Sequence, residues 1–155
     1  MNNSKLKIFI IIGLLILVSI IGVRYMNKEK TQTQIALSGE EFKSKMQSYD
    51  YIVTGPRNYS EDETNYTAYN KSGSIQFEYY KYSDEKGAKE SFDFTKSLYK
   101  KVAISFEIDE PYKCAIIRND NKYLIVSKVG DTVLMAQTDS KDKAILTEIV
   151  NDLGY

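Results

Sequence analysis

Sixteen consecutive residues near the amino terminus, from Ile8 to Val23, carry no charge, and almost all of them are large and apolar. A helix of that length spans roughly 24 Å, which is short of the ~30 Å hydrocarbon core of a bilayer. Counted from Leu6 to Met26, the segment is long enough to cross, because Lys7 and Arg24 can extend their charges to the two interfaces. Residues 8–26 are therefore predicted to form a transmembrane anchor.

A cleavable signal peptide is the alternative interpretation of this stretch. The apolar region of such a peptide usually runs for ~7–15 residues and ends at small residues in an A-x-A pattern. Here the apolar run is longer and ends as Ile20-Ile21-Gly22-Val23, without that pattern. No cysteine lies nearby, which excludes lipoprotein processing. The sequence favours an anchor that is retained.

The charges around the anchor do not choose its orientation, since lysines precede it and Arg24, Lys28 and Lys30 follow it. A short tail before a single span, with a folded domain after it, most often leaves that domain outside the cell. We therefore expect a single-pass protein of the cell membrane whose carboxyl-terminal domain is extracellular. The predicted organisation is a short cytoplasmic tail (1–7), the transmembrane anchor (8–26), a polar linker (27–36) and one extracytoplasmic α+β domain (37–155).

The composition after the anchor excludes several classes of function. Beyond residue 30 the chain has sixteen Lys and Arg against twenty Asp and Glu, a net charge of −4, so no nucleic-acid partner is expected. The chain has no histidine, which removes Ser-His-Asp and Cys-His nucleophiles and every His-based metal site. The single cysteine, Cys114, lies in an apolar stretch and is predicted to be a buried thiol. We expect no cofactor, no metal and no catalytic residue.

Hydrophobic patterning after the linker predicts helices and strands in the order α-βββ-α-ββββ-α. The first helix has a clear start, because Ser38 and Glu41 are spaced as a capping box. Strands that follow one another through short turns, such as Asn70-Lys71-Ser72-Gly73, indicate antiparallel pairing. The predicted fold class is α+β, with a mainly antiparallel sheet and three helices that cover one of its faces. The first strand is expected to stop at Gly55-Pro56, before a polar, acidic loop.

Tyrosine is the one residue type that stands above background, with thirteen copies and no tryptophan in the chain. Its broad ring and polar tip suit surfaces that bind proteins, peptides or glycans. The alternative is that tyrosine, a good strand former, is half-buried on the sheet. An open face rich in tyrosine would support a binding surface, and a sheet covered on both faces would argue against it. The candidate partner-binding surface consists of Tyr59, Tyr66, Tyr69, Tyr80 and Tyr82.

Two groups of carboxylates could perform acid–base chemistry if members of them converged in one pocket. The run from Glu61 to Glu63 does not have the spacing of a calcium loop and is interpreted as a solvated loop. Glu107, Asp109 and Glu110 lie at the end of a predicted strand. Glu107 and Asp109 are expected to share the solvent face of that strand, because side chains two residues apart lie on the same face.

The layout resembles that of single-pass exported proteins of low-GC Gram-positive bacteria. The resemblance covers the short anchor, the polar linker, a helix start like "SGEEF" at 38–42 and an ending like "VNDLGY" at 150–155. It implies an anchored extracytoplasmic domain, and it implies no catalytic residues. Small accessory and immunity-type proteins share this layout.

Three hypotheses about function follow from the sequence. The leading one is a non-catalytic, membrane-tethered domain that binds a protein, a peptide or an envelope component. The first alternative is a hydrolase of envelope glycan that uses carboxylates alone and needs two of them in one pocket. The second alternative is a purely structural subunit of a membrane complex.

Overall fold

A computed structural model describes residues 35–60 and 63–155 of the chain. The predicted tail, the predicted anchor and most of the predicted linker lie outside the described residues. Of the linker, Ile35 is exposed and Ala36 packs against the core. Within the described ranges, no helix combines the length and the apolar character that crossing a membrane requires.

The described residues form three α-helices, seven strands and one 3₁₀ turn. In chain order they are α1 (Gly39–Ser48), β1 (Ile52–Ser60), β2 (Glu63–Tyr69), β3 (Gln76–Tyr82), α2 (Glu85–Val102), β4 (Ala103–Asp109), β5 (Lys113–Arg118), β6 (Lys122–Val129), β7 (Thr132–Asp139), the 3₁₀ turn (Ser140–Asp142) and α3 (Lys143–Asp152). The predicted α+β class and the predicted order of helices and strands are confirmed.

All seven strands belong to one antiparallel sheet with the order β1-β2-β3-β7-β6-β5-β4. Strands β1 to β3 pair with their neighbours in the chain, and so do strands β4 to β7. The two groups meet where β3 pairs with β7. The sheet therefore has two halves, and α2 connects the end of the first half to the far edge of the second.

Helices pack on both faces of the sheet, whereas the sequence predicted cover on one face. On one face, Phe42 of α1 and Leu146 of α3 are buried in a core cluster with residues of the strands. On the other face, Ala88 and Phe92 of α2 are buried in a second cluster. The connection explains the difference, because α2 must cross the sheet to join β3 to β4, and α1 and α3 already occupy the first face.

Strand β1 continues through Gly55 and Pro56 to Ser60, where the sequence predicted a stop and a loop. Proline has no N–H to donate, and it is tolerated here because β1 is an edge strand. The register with β2 shifts between Thr54 and Arg57, and pairing resumes with Arg57 opposite Asn65. The polar segment after the proline is therefore part of the sheet.

The capping box predicted at the start of α1 is present. The Ser38 side chain accepts a hydrogen bond from the Glu41 backbone N–H at 3.3 Å, and the Glu41 carboxylate accepts from the Ser38 backbone N–H at 2.7 Å. The bonds that the backbone N–H and the hydroxyl of Ser38 donate to the Glu41 carboxylate lower its pKa. The two backbone contacts satisfy N–H groups that have no partner within the helix.

Replacing Ser38 with alanine should lower the free energy of unfolding by about 1 kcal/mol, because the Glu41 N–H loses its acceptor. The matched control is Ser44→Ala, at an exposed position inside α1, where alanine should be neutral or slightly stabilising. Urea unfolding of the full chain, monitored by circular dichroism, measures the free energy of unfolding of both variants. Equal effects of the two substitutions would contradict the role of the cap.

Candidate functional site

A polar cleft lies on the face of the sheet that carries α2. Helix α2 packs mainly against β3, β5, β6 and β7, which leaves β1 and β2 uncovered on this side. The cleft has a volume of about 510 Å³, within the ~300–1,000 Å³ range typical of ligand sites. We call it the polar cleft; its lining side chains are Thr54 and Arg57 of β1, Asn65, Thr67 and Tyr69 of β2, and Gln76, Glu78 and Tyr80 of β3.

The register of β2 and β3 brings these side chains together. Thr67 lies opposite Glu78, and Tyr69 lies opposite Gln76. Residues paired across antiparallel strands point to the same face, and every second residue along a strand does so too. The alternate positions, such as Phe77, point into the core on the opposite face. The pleat therefore separates an apolar face from a polar one along the same three strands.

A chain of hydrogen bonds runs along the side of the cleft nearest β7. The Gln137 amide donates to the Gln76 side-chain oxygen at 2.9 Å, and the Gln76 amide donates to Glu78 Oε1 at 3.2 Å. The Tyr80 hydroxyl donates to Glu78 Oε2 at 2.6 Å. Each oxygen of the Glu78 carboxylate thus accepts one of these bonds and keeps capacity for a further donor. The chain holds Glu78 in place as an acceptor.

A small recess continues the polar cleft toward α2. It has a volume of about 100 Å³, and Tyr99, Met135 and Gln137 line it together with Gln76 and Glu78. Burial, and then the charge of Glu78, raise the pKa of Tyr99. The Tyr99 hydroxyl is therefore protonated at neutral pH and can act as a donor.

Arg57 is the cation of the polar cleft. Within the described ranges, Arg118 forms an ion pair with Asp120, whereas Arg57 has no ion-pair partner. Its side chain is exposed at the edge strand. An unpaired guanidinium can bind a carboxylate or a phosphate through two parallel hydrogen bonds.

The flank of α2 that faces β3 carries exposed apolar side chains. Ser91 lies on this flank, since its hydroxyl accepts a hydrogen bond from the Tyr82 hydroxyl of β3 at 2.7 Å. Phe94 and Leu98 follow Ser91 at helical spacing and are 65% and 42% exposed. The opposite flank carries Lys96, which is paired with Asp109 of β4. The flank of α2 on the side of the uncovered strands β1 and β2 is therefore apolar.

Two tyrosines of the predicted surface line the polar cleft. Tyr69 and Tyr80 are both half-buried there, with Tyr69 on β2 and Tyr80 on β3. The side chain of Tyr59 lies outside the described residues. Because α2 covers part of this face, the open area is smaller than a whole sheet face.

The other two tyrosines do not face the cleft. Tyr66 is 5% exposed, and its hydroxyl donates to Glu40 of α1 at 3.0 Å, so it belongs to the core and not to a surface. Its position alternates with those of the cleft residues along β2, which is why it points to the other face. Tyr82 is half-buried against α2 through its bond to Ser91. Burial raises the pKa of Tyr82.

The carboxylates at the end of β4 do not share a face, which corrects the expectation for Glu107 and Asp109. Glu107 pairs with Lys143 of α3 at 2.9 Å, whereas Asp109 pairs with Lys96 of α2 at 2.6 Å, on the other side of the sheet. The register with β5 shifts between Phe106 and Ile108, and this irregularity breaks the alternation that the expectation relied on.

Glu110 lies in a different cleft, of about 330 Å³, next to Lys113 and Lys128. Lys128 is buried and pairs with Glu85 at 2.8 Å. Burial lowers the pKa of Lys113, which donates to the Asn151 side chain at 2.8 Å. Both lysines therefore already have partners within the protein.

The predicted buried thiol is present, since Cys114 is fully buried on β5 and burial raises its pKa. The thiol form predominates at neutral pH, and this form is a poor nucleophile. Among residues 35–60 and 63–155, no group of three or more Cys, Asp or Glu lies close enough together to hold a metal ion.

Besides its tyrosines, the sequence contains a signal for the polar cleft, which is the alternation of polar and apolar residues on β3. Gln76, Glu78 and Tyr80 alternate with Phe77 and Tyr79, which predicts a polar face on β3. The contribution of Arg57 was hidden, because the segment after Pro56 was expected to be a loop. The sequence pattern therefore indicates the contribution of β3 to the cleft and not that of β1.

Comparison of the chain with protein-family models and with curated proteins finds no match.

Proposed function

We propose that this chain is a membrane-tethered, extracytoplasmic accessory domain that binds its partner in the polar cleft without catalysis. The observation that carries the proposal is the open, polar surface over β1, β2 and the adjoining side of β3, in a sheet that helices otherwise cover on both faces. A single-domain protein that needed only stability could bury or shorten these strands. Instead, hydrogen-bonding side chains and two half-buried tyrosines line a cleft there.

The chemistry of the cleft supports binding rather than chemical conversion. Among the described residues that line it, Glu78 is the single carboxylate, and hydrolysis of a glycosidic bond by carboxylates needs two of them in one site. The carboxylates that the hydrolase hypothesis named are divided between opposite sides of the sheet, as Glu107 and Asp109 illustrate. Glu61 and Asp62 lie outside the described residues.

The membrane tether and the extracellular orientation rest on the apolar segment at 8–26. Protease treatment of intact, wall-stripped cells tests them. We expect the domain to be digested while a cytoplasmic marker is protected. Complete protection of the domain would overturn the orientation.

Photo-crosslinking tests the polar cleft as the binding site. A photoreactive phenylalanine analogue in place of Tyr69, in the full chain in its own membrane, should give a specific crosslinked product. The matched control is the same substitution at Tyr112, which is 59% exposed and lies outside the polar cleft. Crosslinking from Tyr112 but not from Tyr69 would overturn the assignment of the cleft.

A further inference from the structure

We infer that the polar cleft binds a carbohydrate that carries an anionic group, with the anion at Arg57 and a sugar hydroxyl at Glu78. This inference rests on the proposed function and names the class of ligand. Four observations carry it: the position of the cleft on a sheet face, the acceptor carboxylate of Glu78, the ring of Tyr69 and the separation of the backbone positions of Arg57 and Glu78.

The cleft lies on the face of the sheet, and it reaches the edge strand β1 through the side chains of Thr54 and Arg57. In the interior of a sheet the backbone N–H and C=O groups are already paired between strands. A peptide in the cleft could not gain the main-chain hydrogen bonds that strand addition provides at an edge. Recognition must therefore come from side chains, which suits a ligand whose own polar groups both donate and accept.

The side chains of the cleft match the hydroxyl groups of a sugar. The carboxylate of Glu78 is an acceptor, and the hydroxyl of Thr67, paired opposite it, donates to the Asn65 side-chain oxygen at 3.4 Å and can itself accept from a ligand. The half-buried ring of Tyr69 offers an apolar face on which the C–H groups of a sugar ring can pack. The described lining of the cleft is mainly polar, whereas an anchoring side chain of a peptide usually fills a well-packed pocket.

The backbone positions of Arg57 and Glu78 lie far enough apart to leave room for a sugar between the two residues. Arg57 is opposite Asn65, Asn65 is opposite Tyr80, and Glu78 is two residues along from Tyr80. Strands ~4.8 Å apart with a rise of ~3.3 Å per residue put the Cα atoms of Arg57 and Glu78 about 12 Å apart. Both side chains point to the same face, so an anionic group and a hydroxyl on one ligand can reach both.

Calorimetric titration of the full-length chain in detergent tests this inference with three probes. They are a hyaluronan-type disaccharide with one carboxylate, the neutral disaccharide diacetylchitobiose, and an acidic tetrapeptide. We expect the anionic disaccharide to bind most tightly. The substitution Arg57→Gln should weaken its binding by about tenfold or more, as expected for loss of a charged hydrogen bond, and leave the neutral disaccharide unaffected.

The matched control is Arg118→Gln, which removes the other arginine of the described residues and should leave all three affinities unchanged. Equal affinity for the two disaccharides, or equal weakening of both by Arg57→Gln, would overturn the anionic contact. Binding of the tetrapeptide instead of the sugars, or of no probe, would overturn the carbohydrate assignment. In that case crosslinking from Tyr69 still decides the proposed function independently, because it does not depend on the class of ligand.

Discussion

Replacing Phe92 with alanine is expected to lower the free energy of unfolding by about 3–5 kcal/mol, the usual range for a large aromatic side chain removed from a core. Phe92 is 1% exposed and packs with Ile116, Leu124 and Val126 between α2 and the sheet. Typical total stabilities are about 5–15 kcal/mol, so the variant would be close to unfolding. Urea unfolding of the full chain, monitored by circular dichroism, measures the loss of unfolding free energy.

Phe94→Ala is the matched control for Phe92→Ala. It removes the same side chain two residues further along the same helix, where the ring is 65% exposed. We expect a change within about 0.5 kcal/mol, as for most surface substitutions. A comparable loss in both variants would contradict the assignment of α2 faces.

Replacing Gly39 with alanine is expected to destabilise the protein by about 1–3 kcal/mol through overpacking. A Cβ atom at this position would lie 2.8 Å from Cζ of Tyr66 and closer still to Cε2. The Tyr66 ring cannot easily move away, because it is buried, bonded to Glu40 and packed edge-on against Phe42. The same urea unfolding experiment measures the effect.

Gly87→Ala is the control for Gly39→Ala, and its expected effect has the opposite sign. Gly87 also lies in the first turn of a helix, but the atoms nearest to an added Cβ are 3.5 Å away, which is ordinary contact. Alanine should therefore stabilise α2 by up to about 1 kcal/mol, since it loses less conformational freedom on folding. Destabilisation by both substitutions to the same degree would show that the Tyr66 contact does not decide the outcome.

Local sequence patterns predicted helix starts and turns correctly where the pattern and the resulting contacts involve the same few residues. Ser38 and Glu41 form the predicted capping box, and the turn at 70–73 joins the paired strands β2 and β3. The order of helices and strands followed from the same kind of signal. These features depend on contacts a few residues apart, which a sequence pattern contains in full.

The errors arose where a distant part of the chain decides the local structure. A proline usually ends a strand, because it has no N–H to donate to the neighbouring strand. Pro56 is tolerated inside β1 because β1 lies at the edge of the sheet. The alternation of Glu107 and Asp109 fails at an irregularity in the pairing with β5. In both cases the deciding fact is which strand lies next to which, and no local pattern contains it.

The sequence by itself determined the apolar segment at 8–26, the absence of histidine and the alternation of polar and apolar residues on β3, because composition and period are properties of the chain alone. Only the tertiary structure decided that α2 packs against β3, β5, β6 and β7 and leaves β1 and β2 open on that face of the sheet. It also decided that Arg57 and Glu78, on strands that are not neighbours, face the same cleft. The physical reason is that a sheet face is assembled from strand register and from the path of the connecting helix, and both depend on contacts between residues far apart in the chain.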